Sequence, residues 1–158
     1  ISLPAGNSDI LEPKVSPSGK KYWDRPVTLT HKASSGVNIT STPGKTTTVL
    51  GRYKDDTRAI IEELGIPKSM DFSGNPGGFN MLNTPDNLYI TPDQFWNEYN
   101  KPFLDKAIAR GDEIVMATVI NRDTMYVKGS KELTGYGREY YYLLEHGYTY
   151  VDGRMILK

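Results

Sequence analysis

The chain has no cysteine, only two histidines, no long apolar run and no net charge, and each shortage excludes a class of protein. Without cysteine there is neither a disulfide framework nor a thiolate metal site, so nothing demands an oxidising compartment. Two histidines are too few for an ordinary structural zinc site. No stretch has the length of a membrane span, and the first residues lack the basic start and apolar core of a signal peptide. Because the chain starts at Ile1 rather than Met, it is expected to be a piece cut from a longer protein. A formal charge of zero argues against indiscriminate binding of nucleic acid. HExxH, CxxC, GxSxG and metal-nuclease D…ExK patterns are absent too, so no metal and no cofactor is expected. Pro43-Gly44-Lys45-Thr46 imitates the end of a phosphate-binding loop. The first glycine of that motif would fall at Ile39, however, and a β-branched strand follows where a helix is required.

What is present fits one domain of 158 residues plus a tail. Residues 1–25, with Pro4, Gly6, Pro13, Pro17 and Gly19 among polar neighbours, read as a linker, and 26–158 as the folded domain. Val27 to Lys32 alternates like a strand. Thr46 to Leu50 is a β-branched strand leading into a helix that Asp55 or Asp56 caps and Gly65 stops. The glycine-rich and proline-rich stretch from Gly74 to Tyr89 reads as a long loop. Thr91, Pro92 and Gln94 open the next helix, which Pro102 splits after Asn100 and Gly111 ends. Glu113 to Ile120 is apolar on both faces, as a central strand is. Thr124 to Lys128 reads as a further strand, and Asp152-Gly153 as the turn of a hairpin. Between them Leu133 to Tyr142 reads as a glycine-flanked turn leading into a short helix that Gly147 ends. Helices followed by antiparallel strands predict an α+β domain, with helices packed on a twisted antiparallel sheet.

Charge is uneven along the chain. Residues 1–54 hold eight cations against three acids, a net of +5 that leaves −5 for the remainder. Cleaving RNA without a metal needs groups that move protons and donors or cations that meet the charge developing on phosphate. His31 or His146 supplies the first; Lys45, Arg52, Arg122 and Arg138 the second, with Lys32 beside His31. Thr46, Thr47, Thr48, Thr134 and Tyr136 are further donors, and Tyr136 and Tyr140 suit stacking on an unpaired base. From these we expect His31, Lys45, Thr47, Thr134 and Arg138 to carry the reaction, and Lys32, Thr46, Thr48, Arg52, Arg122, Tyr136 and Tyr140 to hold substrate. His146, next to a helix end, is better placed to face the helix dipole.

The runs Lys45-Thr46-Thr47-Thr48-Val49-Leu50-Gly51-Arg52-Tyr53, Gly78 to Asn83, Phe95 to Asp105 and Thr134 to Glu139 resemble the C-terminal toxin regions of contact-dependent growth inhibition effectors, the CdiA type. Within that class the pattern is most similar to the toxins that cleave transfer RNA. The resemblance implies the fold shared by barnase, EndoU, colicin and RelE nucleases, and endoribonuclease activity on tRNA through a 2′,3′-cyclic phosphate. It also implies a cognate immunity protein and, as for some relatives, a translation elongation factor of the target cell. Such a fragment belongs to a secreted effector on one bacterium's surface and acts in the cytoplasm of a neighbour. Rival readings of the same residues are a noncatalytic module that binds two protein partners, and a toxin with other chemistry such as ADP-ribosyl transfer.

Overall fold

The computed structural model describes residues 13–17, 19, 21–74 and 78–158. Residues 1–12, 18 and 20 of the expected linker, and 75–77 of the expected loop, lie outside the described residues. Lys14–Val15 (β1) and Lys21–Tyr22 (β2) pair antiparallel. Trp23 follows, buried edge-on against Phe79 at 5.4 Å, so the core takes in a residue ahead of Pro26. Val27 and Leu29 point inward and Thr28 and Thr30 outward, as their alternation requires. No regular strand forms there: the segment is tied to 39–41 by Leu29 N–H to the Ile39 carbonyl (3.1 Å) and Ser41 N–H to the Val27 carbonyl (3.0 Å).

Thr47–Leu50 (β3) is buried along its whole length. Neither Asp55 nor Asp56 caps the helix that follows. The chain enters it through a π-helical turn, Tyr53–Thr57, and continues as Arg58–Leu64 (α1), which buries Ile60 and Ile61 and stops at Gly65 in the left-handed conformation (φ 62°). Part of the expected loop is a short strand, Phe79–Asn80 (β4). Thr91 then caps Pro92–Phe95 (α2), its hydroxyl accepting the Gln94 N–H at 3.1 Å. A second π-helical turn, Trp96–Asn100, runs into Lys101–Arg110 (α3). Pro102 has no N–H for the Glu98 carbonyl, and the helix changes register in this turn, with Lys101 N–H on the Trp96 carbonyl. Glu113–Met116 (β5) is next. The strand expected over Thr124 to Lys128 is displaced by a helical turn, Arg122–Met125 (α4), because Asn121 and Thr124 form a reciprocal capping box. Gly135–Glu145 (α5) leads to a hairpin of Tyr148–Val151 (β6) and Arg154–Leu157 (β7). Its turn residues Asp152 and Gly153 both have positive φ (47° and 84°), as a type I′ turn needs.

The chain is thus α+β, but its sheet is mixed rather than antiparallel. Among the described residues five strands join in the order β4-β3-β5-β7-β6, with β4, β3 and β5 parallel and β7 antiparallel to both β5 and β6. Helical crossovers between β3, β4 and β5 make the parallel half possible. One core cluster gathers Trp23, Val27, Ile39, Ile60 and Phe79 around Val49 and Val115. The other gathers Phe103, Leu104, Met125, Tyr136, Leu143 and Met155 around Leu50 and Met116. No helix among the described residues is long and apolar enough to cross a membrane.

The docking of α5 on α4 depends on one missing side chain. A Cβ at Gly137 would stand 2.2 Å from the Met125 carbonyl oxygen, which already accepts the Thr134 N–H at 2.9 Å and so has no room to retreat. Gly137→Ala is expected to cost about 3 kcal/mol as an overpacked contact against backbone. Melting should fall by roughly 6–12 °C for a chain of this length; a fall under 2 °C would show that the two elements slide apart freely.

Candidate functional site

The parallel strands β3 and β4 end on the same side of the sheet, and beyond their carboxyl ends lies a cleft of about 650 Å³. This is where open sheets with parallel strands place their ligands, since the loops leaving the strands diverge there. Its lining comes from the exit of β3 (Gly51, Arg52), the first π-helical turn (Tyr53, Lys54, Thr57), the segment after β4 (Leu82 to Asp86, with Tyr89), α2 (Phe95), Asn100 at the end of the second π-helical turn, and the start of α5 (Thr134, Tyr136, Glu139). Both π-helical turns contribute to one cavity, and such turns concentrate at functional sites.

Two cations stand on the lining. Arg52 donates from Nη1 to the Asp123 carbonyl (3.0 Å) and lies 3.6 Å from Asp55, while Lys54 is exposed. The same lining holds a buried acid. Glu139 is 5% exposed, and its one hydrogen bond comes from Asn100 Nδ2 at 3.3 Å. Burial pushes its carboxyl up to about 8, against the smaller opposing effect of the Asn100 donor. Glu139 is therefore mostly protonated at neutral pH. Asn100 is buried as well, and its Oδ1 has no hydrogen-bond partner. The cleft thus joins two cations to a neutral, proton-bearing carboxyl on one lining.

Among the expected site residues, Arg52, Thr134 and Tyr136 reach this cleft. The hydroxyls of the last two are spent on structure. Thr134 Oγ1 caps α5 by accepting the Gly137 N–H (3.0 Å) and donates to the Thr124 carbonyl (2.7 Å). Tyr136 is 3% exposed and donates to the Thr118 carbonyl at 2.6 Å; burial raises its hydroxyl well above the ordinary tyrosine value. It offers no face to a base. The other expectations are corrected by position. Thr47 and Thr48 are buried within the sheet and Thr46 just ahead of it, Thr48 bonded to Asp112 (2.8 Å) and Asn80 (3.1 Å), so none can meet a phosphate. Lys45 is exposed at the opposite end of β3, about 20 Å of extended chain from Gly51.

His31 lies outside the cleft lining, its Nε2 3.2 Å from Asp56, with Lys32 exposed beside it. Arg138 pairs with Asp93 (2.7 Å), Arg122 lies over the Tyr126 ring (5.4 Å), and Tyr140 packs edge-on against Tyr141 (5.3 Å) and Tyr150. The convergence of Lys45, His31 and Arg138 in one groove does not occur.

Asp56 explains why His31 is where it is. This carboxylate, 2% exposed, accepts from Ser34 N–H (2.9 Å), Ser34 Oγ (2.6 Å) and Thr118 Oγ1 (2.9 Å), and faces His31 Nε2. Thr118 Oγ1 in turn accepts the Arg52 N–H at 2.8 Å. His31 and Asp56 therefore brace the backbone from which Arg52 projects, and act on the cleft through it. Glu139 and Asn100 were legible only in part. Tyr136, Glu139 and Leu143 fall at helical spacing on one stripe, which puts an acid in the middle of an apolar face. Comparison with protein-family models, with curated proteins and with solved structures finds no match to this chain.

Proposed function

We propose that the chain is an endoribonuclease that cleaves transfer RNA without a metal ion. The observation that carries this reading is Glu139, a carboxylic acid kept protonated by burial yet lining an open cleft with Arg52 and Lys54. A general acid works best with a pKa near the working pH, and a value of about 8 meets that condition. The ribose 2′-oxygen, losing its proton to water, attacks phosphorus. The bond to the 5′-oxygen breaks, that oxygen takes the Glu139 proton, and a 2′,3′-cyclic phosphate remains. Arg52 and Lys54 balance the charge on the phosphate oxygens as it grows. The neutral acid and the cations have separate duties.

The transfer RNA substrate, the toxin role and delivery from a bacterial surface into a neighbour's cytoplasm rest on the four runs that resemble CdiA-type toxins. So does any requirement for a translation elongation factor. A barnase-like or RelE-like nuclease fold rests on the same resemblance. An immunity protein suited to this cleft would present an acidic face to Arg52 and Lys54.

Incubation of the purified chain with total transfer RNA in EDTA should give discrete fragments ending in cyclic phosphate. Arg52→Ala is expected to slow cutting about 10²–10³-fold, the usual loss for a group that meets developing charge, with melting close to wild type. Lys45→Ala should change the rate less than twofold. RNA left intact both with and without target-cell extract would overturn the proposal.

A further inference from the structure

We infer that the wall of the cleft formed by Tyr89 and Asn100 is a binding site for one unpaired nucleobase. This rests on the ribonuclease reading for its phosphate partner and adds how the strand is held. Tyr89 is 55% exposed although it lines the cleft. Its ring is supported from behind: Phe95 lies 5.3 Å away, and Tyr99 5.1 Å from Phe95. An aromatic ring that is backed on one side and open on the other is what a planar ligand stacks on.

The second observation is independent of the first. Asn100 is 7% exposed, and its Oδ1 is a buried acceptor with no partner, a state that proteins ordinarily avoid because the lost hydration is not replaced. Its Nδ2 is held by Glu139, so the carbonyl end is the one left for a ligand. The π-helical turn ending at Asn100 places this residue on the cleft lining. A ligand that satisfies the site needs a flat face for Tyr89, an N–H in the plane of that face for Asn100, and a negative group within reach of Arg52 and Lys54. A nucleobase with its own phosphate carries all three. Its Watson–Crick edge is available only when it is unpaired, so the site selects single-stranded RNA.

The probe is a short fluorescein-labelled RNA of mixed sequence, fully 2′-O-methylated so that it cannot be cut, followed by anisotropy at one fixed salt concentration. Tyr89→Ala is expected to weaken binding about 10–100-fold and Tyr89→Phe less than twofold, since stacking needs the ring and not the hydroxyl. Annealing the probe to its complement should weaken binding to the wild-type chain by a similar factor. Equal affinity of wild type and Tyr89→Ala, equal affinity for single strand and duplex, or no binding at all would overturn the inference. The two readings fail separately. Uncut transfer RNA together with Tyr89-dependent binding of the probe removes the nuclease and keeps the base site, while cutting with a Tyr89-independent affinity does the reverse.

Discussion

Glu139→Gln is expected to abolish cleavage and at the same time stabilise the protein in mild base. Loss of a general acid lowers the rate about 10²–10⁴-fold, and glutamine has the same shape with no proton to give. Its carbonyl still accepts from Asn100 Nδ2, so the packing around α5 is kept. The stability change follows from linkage. Glu139 binds its proton up to about pH 8 when folded but releases it near the ordinary value of 4.5 when unfolded. Between those values the folded state holds more protons, so wild-type stability falls as pH rises through this window, and the fall is complete above about 8. Below 4.5 the acid is neutral in both states and the substitution is nearly silent. At pH 8.5 the variant, which has no charge to bury, should be more stable by several kcal/mol, each worth roughly 2–4 °C of melting temperature in a chain of this size. Melting curves of the two proteins at pH 4 and pH 8.5 measure it. Curves that stay parallel across the window would mean that Glu139 is solvated, and the acid role would go with it. The activity profile carries the same signature: wild-type kcat/KM should decline as pH passes about 8, where the proton is lost.

Asp56→Ala should be the most damaging substitution outside the apolar core, although Asp56 is not itself among the residues that line the cleft. Removing its carboxylate strands two Ser34 donors, the Thr118 hydroxyl and His31 in a buried setting. Breaking a buried charged network by deleting one partner costs about 3–5 kcal/mol. In urea the midpoint should drop accordingly with little change in slope, since the surface exposed on unfolding is the same. The effect reaches the cleft through Thr118, whose oxygen receives the Arg52 N–H. Cleavage by the folded fraction, measured well below the new melting temperature, should therefore decline too. His31→Ala removes only one of the four contacts and leaves Asp56 with the three shorter ones, so it should cost about 1 kcal/mol. A loss from Asp56→Ala no larger than that from His31→Ala would show that the network is not shared.

Local signals were legible along the chain. β-branching marked a strand over Thr46 to Leu50, which forms as Thr47–Leu50, glycine marked the helix stops at Gly65 and Gly111, Thr91 marked a helix start, and Asp152-Gly153 marked the hairpin. Each depends on backbone preferences of a few neighbouring residues, which composition expresses directly. Where two local signals competed the weaker one lost: the β-propensity of Thr124 to Lys128 gave way to the capping box of Asn121.

Sidedness and pairing were not local. Lys45 and Arg52 are seven residues apart, yet β3 separates them onto opposite ends of the sheet, and only Arg52 meets the cleft. The threonines between them carry hydroxyls suited to phosphate, but parallel neighbours on both sides bury them. Glu139 and Arg138 are neighbours in sequence, yet in α5 Glu139 meets Asn100 while Arg138 pairs with Asp93. The order of residues determined which segments became strands, helices and turns, because those choices are made by short-range sterics and hydrogen bonds. Tertiary structure decided which polar groups lost water and which kept it. A carboxyl's proton and a lysine's reach are set by what surrounds them in space.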